Sequence, residues 1–232
     1  MRAFAPFAVI FACLLALSGC EAPVEPPVAD RSETRAEAPP EIPAMGEEVR
    51  IMALGDSLFT GYGLDEGESY PALLEAALRA RGINARIVNA GVSGDTSAAG
   101  ADRLAFALDA QPSPPQLVVI SLGGNDMLRA IPPQQTRANL DRILAELDKR
   151  GIDALLLGML AAPNLGESYE REFNGIYPAL ARKYDAELVP FFLQSVIDKP
   201  ELIQADRIHP TRAGIDAMVA DTVDEVAAAL ER

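Results

Sequence analysis

Residues Ile51–Gly63 read IMALGDSLFTGYG, an apolar run that breaks at Gly55-Asp56-Ser57. A short run bounded by turn residues predicts a strand ending in a tight turn, which sets Ser57 just beyond the carboxyl end of that strand. A serine hydroxyl by itself is a weak nucleophile. It needs a base to take its proton and donors to hold an oxyanion, so the stretch acquires meaning only if the rest of the chain supplies them. The chain has a single histidine, His209, within Asp206-Arg207-Ile208-His209-Pro210. A separation of three lets the Asp206 carboxylate hold one ring nitrogen while the other faces outward.

Outward from that stretch, strands alternate with helices. Ala85–Val88, Leu117–Ser121, Ala154–Met159 and Glu187–Pro190 read as further strands. Leu117-Val118-Val119-Ile120 is apolar and β-branched without alternation, as expected of a strand covered on both faces. Apolar spacing predicts helices over about Tyr70–Arg81, from a cap near Thr96 to Asp109, and over Gln134–Arg150, Tyr169–Lys183 and Arg212–Leu230. For the first of these, Ser69 is placed to cap, Pro71 fits the first turn and Gly82 stops the helix. The alternation predicts an α/β fold, a three-layer α/β/α sandwich on a five-stranded parallel sheet with right-handed crossovers. Ligands bind beyond the carboxyl ends of such strands. Ser57, Gly94 and Asn125 each follow a strand end, and the Asp206–His209 turn follows the last one, so all four segments are expected at one edge.

Taken singly, each of these residues has a plain structural reading. Gly-Asp-Ser is a common turn, Asn125 tolerates positive φ, Gly94 serves a turn, and a lone histidine commonly makes a structural hydrogen bond. Together they place a nucleophile, a base with its acid, a side-chain amide and a close-approach glycine at one edge, which only the joint functional reading explains. Asp56, next to Ser57, is assigned to shaping the turn.

Composition narrows the alternatives. The net charge is −14, and the basic residues form no run, which argues against a nucleic-acid partner. Both cysteines, Cys13 and Cys20, lie in the first twenty residues, so the folded part has no thiol or disulfide chemistry, and with one histidine no metal site is expected. Arg2 followed by the apolar run Ala3–Leu17 reads as a secretory signal covering residues 1–19. Residues 20–47, rich in Pro, Glu and Ala, cannot bury a core and are expected to be a disordered tether. The remaining 48–232 form one domain of roughly 185 residues.

The segments GDSLFTGYG, NAGVSGDTS, GGND and DRIHP, in this order across the whole domain, resemble the four sequence blocks of the SGNH hydrolases, the GDSL esterase/lipase family. The chain is most similar to the bacterial exported thioesterase/lysophospholipase/arylesterase branch, with further likeness at Gly158-Met159, at Phe173–Pro178 and at Pro190-Phe191-Phe192. The resemblance implies a flavodoxin-like sheet, Ser57 as nucleophile, His209 as base and Asp206 as its orienting acid. It implies an oxyanion hole from the Ser57 N–H, the Gly94 N–H and the Asn125 amide, and no cofactor. One departure is visible: the branch commonly has Gly where this chain has Arg207, and a left-handed backbone there would cost Arg about 1 kcal/mol. Separately, Leu17-Ser18-Gly19-Cys20 resembles the lipobox of bacterial lipoproteins, which implies lipidation of Cys20, a membrane anchor facing the periplasm and, with Glu21 next, the outer membrane; the alternative is an ordinary cleaved signal and a soluble periplasmic or secreted protein.

The expected function is hydrolysis of short to medium acyl esters or thioesters by a monomer. The alternatives are a carbohydrate O-deacetylase, against which the absence of Trp counts, a lipid-anchored binding protein without turnover, and an α/β domain holding a cation among Asp56, Asp95 and Asp126. Met127, Leu128, Ile131, Leu160 and Leu165 are candidates for an acyl groove.

Overall fold

The computed structural model describes residues 46–231 apart from Glu66. The expected export signal, Cys20 and all of the tether except residues 46 and 47 lie outside the described residues. Five strands form: β1 (Val49–Gly55), β2 (Ala85–Gly91), β3 (Leu117–Ser121), β4 (Asp153–Leu157) and β5 (Glu187–Val189). All pairings are parallel, in the order β2-β1-β3-β4-β5. The two strands at the heart of the sheet carry largely apolar runs: Ile51–Leu54 and Leu117–Ser121 are at most 1% exposed.

Around the sheet run α1 (Ser57–Thr60), α2 (Tyr70–Ala80), α3 (Ser97–Asp109), α4 (Gly124–Leu128), α5 (Pro133–Arg150), α6 (Glu167–Asn174), α7 (Ile176–Tyr184) and α8 (Arg212–Ala229). Helices α2 and α8 pack together, with the buried Tyr70 hydroxyl 2.7 Å from Thr222 Oγ1. Helices α3, α5 and α7 make the other layer, with α5 central. The register matters for function. Gly55 pairs with Gly91 on one side and Ser121 on the other, so β1, β2 and β3 end level and their following loops emerge together.

Three local expectations are corrected. Strand β2 continues through Asn89-Ala90-Gly91, which the sequence placed in a loop, because the strand keeps pairing with β1 to its end. The single helix expected over Tyr169–Lys183 is two, α6 and α7, meeting at Gly175. Pro178 explains the break, since it has no N–H for the Asn174 carbonyl and its ring would clash there, so it is accommodated in the first turn of a new helix. Ser69 stands at the cap position of α2 but makes no side-chain cap bond. The N2 residue is Pro71, which has no N–H for a capping hydroxyl to receive.

A buried carboxylate joins the layers near the site. Asp126, 0% exposed, accepts from Ser97 N at 2.7 Å, Ser97 Oγ at 2.5 Å and Thr136 Oγ1 at 3.1 Å, tying α4 to α3 and α5. Replacing it would strand several buried donors at once. Asp126→Ala is therefore expected to cost about 3 kcal/mol in urea denaturation, whereas exposed Asp221→Ala should stay within about 0.5 kcal/mol.

Candidate active site

The turn after β1 is built to present Ser57. Asp56 caps α1, its Oδ1 accepting from Leu58 N at 3.1 Å, and Ser57 opens the helix. Ser57 Oγ lies 2.8 Å from His209 Nε2, and His209 Nδ1 lies 2.6 Å from Asp206 Oδ2. The other Asp206 oxygen accepts from Ile208 N at 2.9 Å and His209 N at 3.0 Å, so one carboxylate fixes both the ring and the backbone that carries it. The bond to His209, then these two amides, hold the Asp206 carboxyl down at about 2.

The histidine turn is anchored from outside. Gln204 N donates to the His209 carbonyl at 2.7 Å, and Gln204 Nε2 reaches the carbonyls of Tyr62 and Pro210, both at 2.8 Å. Thr211 N donates to Leu202 O at 2.8 Å, and Thr211 Oγ1 caps α8 at Gly214 N. Arg207 has φ +62°, the left-handed conformation that makes the departure from glycine a strained one.

Gly94 and Asn125 face Ser57 across the same opening. Gly94 is the third residue of a turn closed by Asp95 N to Val92 O at 3.1 Å, and its φ of +85° requires glycine. The loop is pinned by Arg129, which donates to Gly94 O at 2.9 Å, and by Arg103, which bridges Asp95 Oδ2 at 2.6 Å and Gly55 O at 3.0 Å. Neither the Ser57 N–H nor the Gly94 N–H donates to another group among the described residues. Asn125 lies in α4 and not in an irregular turn. Its Nδ2 donates to Asp95 O at 3.0 Å and to Asp56 Oδ2 at 3.2 Å.

Asp56 thus shapes the turn, as expected, and also holds the Asn125 amide, which the sequence did not reveal. It is 3% exposed, and loss of hydration pushes its carboxyl up from 3.8 to about 6 against the bonds from Leu58 and Asn125. Asp56, Asp95 and Asp126 do not converge: each carboxylate is engaged by different protein donors, and no group of three or more metal-ligating side chains occurs among the described residues.

A cavity of about 480 Å³ opens beside Ser57 and His209. Of the apolar residues expected to form a groove, Met127 and Leu128 line it, and Ile131, Leu160 and Leu165 do not. Leu165 sits in a separate 3₁₀ turn, Pro163–Leu165, and Leu160 is exposed away from the cavity. Further apolar wall comes, among other residues, from Met159 and from Val196, Ile197 and Ile208. These last three lie in the irregular segment between β5 and α8, where no periodic pattern marks a side chain's direction. Tyr62, Arg103, Arg129 and Gln204 were also missed; for Tyr62 the flanking glycines of Gly61-Tyr62-Gly63 were the available signal.

Residues 53–217 match the GDSL-like lipase/acylhydrolase family. The chain belongs to that family. It is similar to "Esterase TesA" of Pseudomonas aeruginosa, 42% identical over 163 residues that cover 70% of this chain and 80% of the relative. It is 40% identical over 162 residues to "Thioesterase 1/protease 1/lysophospholipase L1" of Escherichia coli, covering 70% and 76% of the two chains. Among solved structures, the SGNH-hydrolase family esterase AlinE4 is 61% identical, with a TM-score of 0.69 over 80% of this chain and 98% of that one. The SGNH α/β fold and hydrolase class expected from the four sequence blocks are therefore those of the protein.

For this SGNH hydrolase the two carboxylates of the site are separated by environment, and their titrations should show it. The raised value of Asp56 means that its protonated form stabilises the fold. This contribution is fully present below about pH 4, where it amounts to roughly 3 kcal/mol, and is lost as pH rises from there through about 6. A ¹³C-carboxyl NMR titration should show Asp56 with a midpoint near 6 and Asp206 ionised down to about 2. A midpoint for Asp56 near 3.8 would remove the burial argument.

Proposed function

We propose that this SGNH hydrolase is a serine esterase that hydrolyses short to medium acyl esters or thioesters, with Ser57 as nucleophile, His209 as base and Asp206 as its orienting acid. The observation that carries the reading is the hydrogen-bonded line Ser57 Oγ, His209 Nε2, His209 Nδ1 and Asp206 Oδ2, at 2.8 and 2.6 Å, beside an apolar-walled cavity. The names of the relatives, esterase and thioesterase/lysophospholipase, support the substrate class.

In the proposed reaction His209 Nε2 takes the Ser57 proton as Oγ attacks the acyl carbonyl, and Asp206 holds the ring as imidazolium. The unpaired Ser57 and Gly94 N–H groups receive the developing oxyanion, together with Asn125 Nδ2. The longer of the two Asn125 bonds, at 3.2 Å to Asp56, is the one the oxyanion competes with. The imidazolium then protonates the leaving alcohol or thiol, and water releases the acyl group from Ser57 by the same steps. Met127, Leu128 and Met159 are read as the wall against which the acyl chain lies. The reading keeps the protein a monomer. No step calls for a cofactor.

We infer further that the protein is exported and held at a membrane by lipid on Cys20, facing the periplasm and favouring the outer membrane. Support comes from Leu17-Ser18-Gly19-Cys20 directly after an apolar run and from the Pro-rich stretch that follows. Labelled palmitate should enter the wild-type chain and not Cys20→Ser, and that variant should move to the soluble fraction.

Hydrolysis of p-nitrophenyl esters from acetate to decanoate tests the enzymatic reading. Ser57→Ala should abolish turnover, and Asn125→Ala should lower kcat about 10²–10³-fold. Full activity in Ser57→Ala would remove the serine mechanism.

A further inference from the structure

Tyr62 is the side chain at this site that the proposed chemistry leaves without a task. Its ring lies against the His209 imidazole, with centroids 4.5 Å apart and planes tilted by 33°, although 54% of the residue is exposed. Burial does not hold it there; the backbone does. Gly61 and Gly63 on either side are left-handed, at φ +74° and +75°. The Tyr62 N–H donates to Ser57 O at 3.3 Å, and the Tyr62 carbonyl accepts from Gln204 Nε2 at 2.8 Å. A Cβ at Gly63 would stand 2.4 Å from Gln204 Oε1, so the turn closes on Gln204 only with glycine. The residue is thereby registered to the nucleophile and, through Gln204, to the histidine turn. Its hydroxyl has no hydrogen-bond partner among the described residues, which leaves the ring face as its contribution.

We propose that Tyr62 is a positioning residue whose ring face steadies the imidazolium form of His209, the form that arises in the proposed reaction when Ser57 gives up its proton. The proposal rests on the reading of His209 as the base. The π face of an aromatic ring attracts a cation and gains less from a neutral ring, so the contact favours the transition state over the resting state. The charges that face the imidazole are Asp206 and Arg207 on its own turn and Asp56 at the end of β1. All three are retained when only Tyr62 is changed, so the variants isolate the ring.

His209 is the only histidine in the chain, so its imidazole NMR signals need no assignment. The experiment is an NMR titration of untagged wild type, Tyr62→Phe and Tyr62→Leu, with kinetics on p-nitrophenyl acetate, the ester least dependent on acyl contacts. In Tyr62→Leu the His209 midpoint should fall by about half a pH unit. Its kcat should fall about two- to fivefold with KM held. Tyr62→Phe should match wild type in both. A ring that only kept water off the imidazole would give the opposite sign, because hydration favours the charged form and the midpoint in Tyr62→Leu would rise. An unmoved midpoint, with losses confined to KM for long esters, would make Tyr62 a cavity wall. Either result overturns the proposal. The midpoint is read without turnover, so its failure is distinguishable from failure of the serine mechanism, which Ser57→Ala tests.

Discussion

The bond between Ser57 Oγ and His209 Nε2 joins residues 152 positions apart, and much of the structure around it keeps that distance at 2.8 Å. Neither partner can hold it alone. A serine rotamer and an imidazole on an exposed turn are both mobile unless their backbones are fixed. The serine is fixed by the buried end of a central strand and by the Asp56 cap. The histidine is fixed by Asp206, which bonds the ring and two amides, and by Gln204, which ties the turn to the Tyr62 carbonyl. Precision in such a site comes from the supporting bonds more than from the reacting groups.

The same economy holds on the side proposed to hold the oxyanion. Three level strand ends bring the Ser57, Gly94 and Asn125 loops to one opening, and a few polar anchors keep them from drifting: Arg103 between Asp95 and Gly55, Arg129 on Gly94, and Asp126 beneath Asn125. The two carboxylates nearest the serine show how place decides chemistry. Asp206, partly exposed and bonded by three donors, stays ionised, while Asp56, stripped of water, holds its proton up to about 6.

The sheet and the meeting of the candidate site residues were legible in the sequence because each had a local signature. An unbroken apolar run marks a strand covered on both faces, and a serine, a glycine, an asparagine and a histidine turn following successive strand ends must share an edge in a parallel sheet. What was not legible depends on distance in space. Nothing in the sequence shows that Asp56 meets Asn125, 69 positions away, or that Gln204 reaches Tyr62, 142 away. The cavity wall was half missed for the same reason: Val196, Ile197 and Ile208 lie in irregular chain, where side-chain direction follows tertiary packing and not a period. The break at Gly175 was readable from Pro178 but hidden by an apolar pattern that runs through it.

The central claim is that one serine in the chain is chemically activated by one histidine. Reaction with a p-nitrophenyl alkylphosphonate, followed by intact-mass and peptide mapping, reads this directly. The account predicts a single adduct on Ser57 in wild type and almost none in His209→Ala, although Ser57 remains in place. Equal labelling of the two proteins, or an adduct on another residue, would contradict it.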